Sequence, residues 1–310
     1  MIHGFSGIAV VLLIITAGFL LCKRGIITEA GTSFISTLTA RVTIPCVLLT
    51  SSYGYFSLEW IREAGIWLLL PLLMVMGLYI IAVGVSRISG IPATDRGAFC
   101  NLFAHPNALA MGIPVIYAIS GESGTPYLAA YFIISTVLFF GYTVNDIAKD
   151  AGQTGKGWKQ RLKQLASPPL MMFLLGAALR LLEIPLPQPI LLSLQYVGNM
   201  TSPLSLLLAG AVLATAETVW TPTKSSVFSI VGRVAIAPLL CLGLCLLLRV
   251  PSEIASIYVI ISGLPSMNQV VVMSYQYGAN RKLTVQTLLY TTILSAATIP
   301  GLLYLLGRIY

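Results

Sequence analysis

Pro106 and Pro265 each interrupt a long apolar stretch, and the sequence repeats itself around them. Pro106 and Pro265 are 159 residues apart, as are Pro92 and Pro251, and Pro45 and Pro203 are 158 apart, about half of the 310-residue chain. Hydrophobic residues make up 57% of the sequence and charged residues 9%, against roughly 25% charged in a soluble domain. One water-soluble core cannot hide that much apolar surface, so the surrounding solvent is lipid. Asp, Glu, Lys and Arg are nearly absent from repeated runs of about twenty residues, each long enough to cross some 30 Å of hydrocarbon as a helix.

The runs predict ten spans, at 5–22, 33–52, 65–86, 97–119, 125–146, 167–183, 190–214, 225–248, 254–276 and 283–307. The expected fold class is an all-α membrane protein. The first run is read as a span and not a leader, because it has no basic start or small-residue cleavage site and Lys23-Arg24 follows it. Cys22, Cys46, Cys100, Cys241 and Cys245 lie in or at the ends of spans, with no metal-ligand spacing to His, so no metal and no cofactor is expected.

Basic residues set the orientation. Loops after odd-numbered spans hold Lys23, Arg24, Arg87, Arg96, Lys149, Lys156, Lys159, Arg161, Lys163, Lys224, Arg281 and Lys282; the other side holds Arg62, Arg180, Arg249 and Arg308. The positive-inside rule places the odd loops in the cytoplasm and both termini outside. The net charge of +8 is explained by these loops and calls for no nucleic acid. Five spans in each half make the second copy enter from the opposite side, an inverted repeat. The expected organisation is a first repeat over 1–146, a basic cytoplasmic linker over 147–166 and a second repeat over 167–310.

Spans four and nine are the broken pair. Proline removes one N–H and blocks a helical bond one turn back, and the orphaned groups cost several kcal/mol each in hydrocarbon unless something satisfies them. If the breaks at Pro106 and Pro265 face each other, four half-helix ends converge. The two N-terminal ends carry partial positive charge and free N–H groups, suited to a carboxylate. Polar residues flank both breaks: His105 and Asn107 in the first, Ser266, Asn268 and Gln269 in the second. An amide at mid-membrane is costly unless it bonds something, so Asn107 and Asn268 are the first candidates for ligand contact. Discontinuous helices in matching places of two repeats are the mark of a secondary transporter.

These residues carry a resemblance. Pro106-Asn107-Ala108-Leu109-Ala110-Met111-Gly112-Ile113-Pro114 resembles the broken fourth helix of the auxin efflux carrier family, which includes the plant PIN-FORMED transporters. Gly263-Leu264-Pro265, Arg233 through Pro238, Ile44-Pro45 and Leu208-Ala209-Gly210-Ala211 are similar to the same family, so the likeness spans nearly the whole chain. It implies ten helices with helices four and nine crossed, scaffold and transport subdomains drawn from both repeats, a homodimer, and export of organic anions by an elevator-like movement. Pro106, Pro114 and Pro265 correspond to the helix-break prolines, and Asn107 to a ligand-contacting amide. The long cytoplasmic loop of many plant members is missing. Ser167-Pro168-Pro169 stands where the family often has Asn-Pro, which keeps Ser167 as a candidate contact and leaves the substrate open between an auxin-like indole-acetate and a small dicarboxylate such as malate or malonate.

All ten acidic residues map to loops or span ends, whereas cation-coupled carriers place carboxylates deep in the membrane. Uncoupled export driven by membrane potential is therefore expected. A sodium- or proton-coupled symporter of the bile acid type is the alternative carrier, with Asn268 and Gln269 as cation-site amides. An anion receptor that does not transport is the other alternative. Two arginines lie inside spans, Arg41 and Arg233, and pairing with backbone carbonyls or snorkelling to an interface is the first reading of both. Arg41 lies nearer the cytoplasmic end of its span, and Arg233, about two turns from the cytoplasmic end of span eight, is also placed where a passing anion could meet it. A channel would need a continuous polar stripe, and an enzyme a nucleophile–base pair or metal ligands. His3 and His105 are the only histidines, and the chain is not read as an enzyme.

Overall fold

A computed structural model describes residues 2–109, 111–153, 168–215 and 221–310. Among them the regular elements are all helical: α1 (Ile2–Lys23), α2 (Glu29–Leu38), α3 (Ile44–Tyr55), α4 (Leu58–Ala64), α5 (Leu70–Ile88), α6 (Arg96–Ala104), α7 (Gly112–Ser120), α8 (Thr125–Leu138) and α9 (Val144–Asp150). There follow α10 (Pro168–Leu181), α11 (Gln188–Asn199), α12 (Thr201–Thr215), α13 (Lys224–Val231), α14 (Ala237–Leu247), α15 (Ser252–Ser262), α16 (Asn268–Tyr277) and α17 (Arg281–Ile309).

Among the described residues, five continuous helical stretches are long and apolar enough to cross a membrane: Glu29–Gly54, Gly65–Ile88, Thr125–Asp150, Lys224–Leu247 and Arg281–Ile309. Three of them contain a π-helical turn, at Thr39–Thr43, Phe139–Thr143 and Gly232–Ile236. Two of these turns have a visible cause. Pro45 and Pro238 lack the N–H that would bond one turn back, and the residue before each reaches five back instead, Ile44 to the Thr39 carbonyl and Ala237 to that of Gly232.

Boundaries differ from the sequence reading where caps act. The second span begins at Glu29 and not at 33, because the Thr28 side chain accepts from the Gly31 N–H and fixes the helix start. The expected continuous span 190–214 is interrupted at Met200, where Pro203 withholds the N–H that would bond Asn199. Helix α9 runs to Asp150, into the stretch read as linker.

The described chain divides into two compact units, each assembled from separate segments. The first takes residues 1–68, 109–130 and 166–217, and the second 69–108, 131–165 and 218–310. Glycine sets the packing of the first unit. A Cβ on Gly18 of α1 would overlap the Leu207 carbonyl of α12, and one on Gly210 of α12 would overlap the Ile15 carbonyl and Phe19 amide of α1. Gly176 of α10 meets Leu49 and Ser52 of α3 in the same way. Without a hydrophobic drive between helices in lipid, such backbone approach is what packing rests on. Phe56 packs edge-on against Phe173 at 5.3 Å, and a cavity of ≈ 660 Å³ at one end of this unit is lined by Tyr53, Glu59, Arg62, Arg180 and Glu183 among others.

In the second unit the start of α6 is capped from a distance. The Gly97 and Ala98 N–H groups donate to the two carboxylate oxygens of Asp150, at 2.9 and 2.8 Å, a charge placed where the helix dipole favours it. Gly97 permits this, since a Cβ there would strike the Asp146 backbone. Asp95 accepts from Ser225 Oγ at 3.1 Å and Asn280 Nδ2 at 3.0 Å, tying the starts of α13 and α17 to that of α6.

Substitution Gly210→Ala is expected to lower the thermal unfolding midpoint in detergent, at an overpacking cost of about 1–3 kcal/mol. Gly243→Ala, where a Cβ meets nothing within 4 Å, should leave it unchanged or raise it.

Candidate functional site

Helix α6 ends at Ala104 and α7 begins at Gly112; α15 ends at Ser262 and α16 begins at Asn268. The two interruptions meet within the second unit. Pro106 and Ser266 form an isolated antiparallel bridge. The Asn107 N–H donates to the Pro265 carbonyl at 2.7 Å, and the Met267 N–H to the His105 carbonyl at 2.9 Å.

The carbonyls left over by the Pro106 break find donors one by one. Pro106 cannot bond Leu102, whose carbonyl takes the Ser266 hydroxyl at 2.8 Å. The Asn107 N–H is committed to Pro265 and that of Ala108 turns to Pro106 at 2.9 Å. The Phe103 and Ala104 carbonyls are filled by Arg233 Nη1, at 3.2 and 3.0 Å. The His105 carbonyl has Met267. On the other helix, the Ser266 N–H goes to Thr291 Oγ1 at 3.2 Å, and the Ser262 carbonyl takes Arg233 Nη2. Arg233 thus ties the C-terminal ends of α6 and α15 together. It is fully buried, with no carboxylate at ion-pair distance among the described residues, whereas Arg41 is exposed.

Gly232 makes this reach feasible, because any Cβ there would run into the Phe103 ring, itself fully buried. His105 is held on both ring nitrogens, Nδ1 by Ser135 Oγ at 2.8 Å and Nε2 by Thr143 Oγ1 at 3.2 Å, with its ring edge-on to Phe139. Thr143 also lines an apolar cleft of ≈ 500 Å³ with Val75, Met76, Tyr79 and Tyr142.

The predicted residues therefore divide. Pro106, Pro265, Ser266, His105 and Arg233 are buried in the joint between the two breaks, with the Ser266 hydroxyl, the His105 ring and both Arg233 Nη atoms engaged there and Arg233 Nε without a partner among the described residues. Asn107 is 8% exposed, and its side-chain amide meets no partner among the described residues. Asn268 and Gln269 open α16, are exposed, and their backbone N–H groups and side chains likewise meet none. Pro114 is the third residue of α7, in the first turn, where a missing N–H costs no helical bond. Helix α7 belongs to the first unit, so the break at 105–111 carries the chain from one unit into the other. Ser167 lies outside the described residues.

Sequence reasoning missed Ser135, Thr143 and Thr291, whose hydroxyls are ordinary in a membrane helix. It also missed Asn101, fully buried, which donates to the Gly97 and Thr143 carbonyls at 2.8 and 3.0 Å. The signal for Asn101 was present, an amide inside a predicted span.

Residues 3–303 match the membrane transport protein family. The chain belongs to that family, the auxin efflux carrier family. A relative from Methanothermobacter thermautotrophicus, described as an uncharacterized transporter, is 24% identical over 295 residues, covering 94% of this chain and 94% of its own. This membrane transport protein therefore carries its helix joint within a transporter family that matches it along almost its whole length.

Gly232→Ala is expected to lower the unfolding midpoint of this auxin efflux carrier family member by pressing on Phe103. Adding Phe103→Leu should recover most of the loss, which thermal unfolding of the two single variants and the double variant checks as a cycle.

Proposed function

We propose that this protein exports organic carboxylate anions by alternating access, with the ligand held beside the joint of the two helix breaks. The observation that carries this reading is the set of unpartnered donors there. The Asn107 amide, the Asn268 and Gln269 side chains and the first N–H groups of α16 have no acceptor among the described residues. A helix N-terminus with free N–H groups favours negative charge. The His105 ring, the Ser266 hydroxyl and both Arg233 Nη atoms are already bonded within the joint, so these exposed or near-surface donors are the ones left for a ligand.

The reading extends to a ten-span inverted repeat with helices four and nine crossed, both termini non-cytoplasmic, and a homodimer working by an elevator-like movement. The matched prolines 159 residues apart support the repeat. The two compact units, each built from both halves of the chain, support scaffold and transport parts. Candidate substrates are an indole-acetate and small dicarboxylates. A cell interior near −100 mV drives a monoanion outward by about 2.3 kcal/mol, roughly a fifty-fold gradient, so no coupling ion is required.

Asn107→Ala should weaken substrate binding about ten- to hundred-fold, the worth of a hydrogen bond to a charged group, with normal expression; unchanged affinity would move the site elsewhere. In sealed vesicles at a held voltage, export should persist after the proton and sodium gradients are collapsed. Export that stops points to the coupled symporter, and binding without counterflow of labelled substrate points to a receptor.

A further inference from the structure

Arg233 occupies an unusual electrostatic position. Its guanidinium bonds the last carbonyls of α6 and the last carbonyl of α15, so it sits at two helix C-termini at once. Each such end carries roughly half a negative charge, and each N-terminus roughly half a positive one. Two C-termini therefore bring about one negative charge to the joint, against about half a positive charge from the start of α16. Left alone, that balance repels an anion. The Arg233 charge cancels the C-terminal pair, and no carboxylate among the described residues is close enough to pair with it. The N-terminal charge of α16 is then unopposed. Both Nη atoms are spent on carbonyls, Nε is buried without a hydrogen-bond partner among the described residues, and the side chain is 0% exposed, so burial closes any direct route from the guanidinium to a ligand.

We infer that Arg233 is a positioning and charge-setting residue: it gives the helix joint its preference for anions through its field, without touching what is bound. This rests on the anion-site reading above, and it explains how a site with no exposed cation among Asn107, Asn268 and Gln269 selects negative charge. The contrast with Arg41, exposed on its helix, separates a cation turned outward from one built into the fold.

The test reads the field directly. In full-length protein with its five cysteines replaced, Asn268→Cys is reconstituted in lipid nanodiscs. It is then labelled with a negatively and a positively charged methanethiosulfonate of similar size. The ratio of the two rates reports the local potential. Arg233→Gln should shift that ratio toward the cationic reagent by ~10-fold or more, since the reagents respond in opposite senses to one lost charge. Arg233→Lys, which keeps the charge and loses the planar fork, should hold the parent ratio even if the protein becomes less stable. Should Arg233→Gln not fold, Cys241→Asp supplies the neutralisation with the guanidinium intact, as Cys241 is an electrostatic neighbour of Arg233, and the same shift is expected. A purely structural role would change stability in the Lys and Gln variants alike and leave the ratio where it was. An unchanged ratio in the charge-neutralised protein overturns the proposal. The two readings fail separately. If indole-3-acetate, malate and malonate all fail to bind, the proposed function falls while the ratio still reports on Arg233. If the ratio does not move, Arg233 loses its role while carboxylate binding stands.

Discussion

A proline in a membrane helix leaves a carbonyl with no partner, and hydrocarbon offers no water to replace one. The joint at Pro106 and Pro265 answers that constraint. Leu102, Phe103, Ala104 and His105 would all be orphaned acceptors, and three residues of the second unit supply their donors: Ser266 to Leu102, Arg233 to both Phe103 and Ala104, and Met267 to His105. The two breaks are complementary, since Asn107 donates back to Pro265. Neither interruption is satisfied without the other, which is why they are found joined.

That joint also decides which polar groups are left over for chemistry. His105, by its sequence position a natural ligand contact, is held by Ser135 and Thr143 and serves the packing of the break. Ser266 is consumed in the same way. The groups with capacity to spare are the Asn107 amide and the start of α16. Two glycines act by absence: Gly232 lets its backbone close on the Phe103 ring beside Arg233, and Gly97 lets the Asp146 backbone approach so that Asp150 caps α6.

Much of this was legible in the sequence. The apolar runs gave the class, the spacing of the prolines located both interruptions, and the stretch from Pro106 to Pro114 pointed to the family. Other features were hidden for physical reasons. Arg233 inside an apolar run marked itself as unusual, yet whether it met a ligand or a backbone depended on which carbonyls α6 and α15 brought beside it. Ser135, Thr143 and Thr291 could not be told from the other hydroxyls of membrane helices, since any of them can bond its own helix backbone. Pro45 and Pro203 matched in sequence but act differently. One is absorbed by a π turn within a continuous helix, and the other ends α11 at Asn199.

The account stands on the idea that the helix joint holds a negative headgroup. Equilibrium binding to the purified protein tests this most directly, comparing indole-3-acetate, malate and malonate with their neutral amides. The account predicts that at least one acid binds and that its amide binds far more weakly. Equal affinity for acid and amide, or no binding by any of the acids, would contradict it.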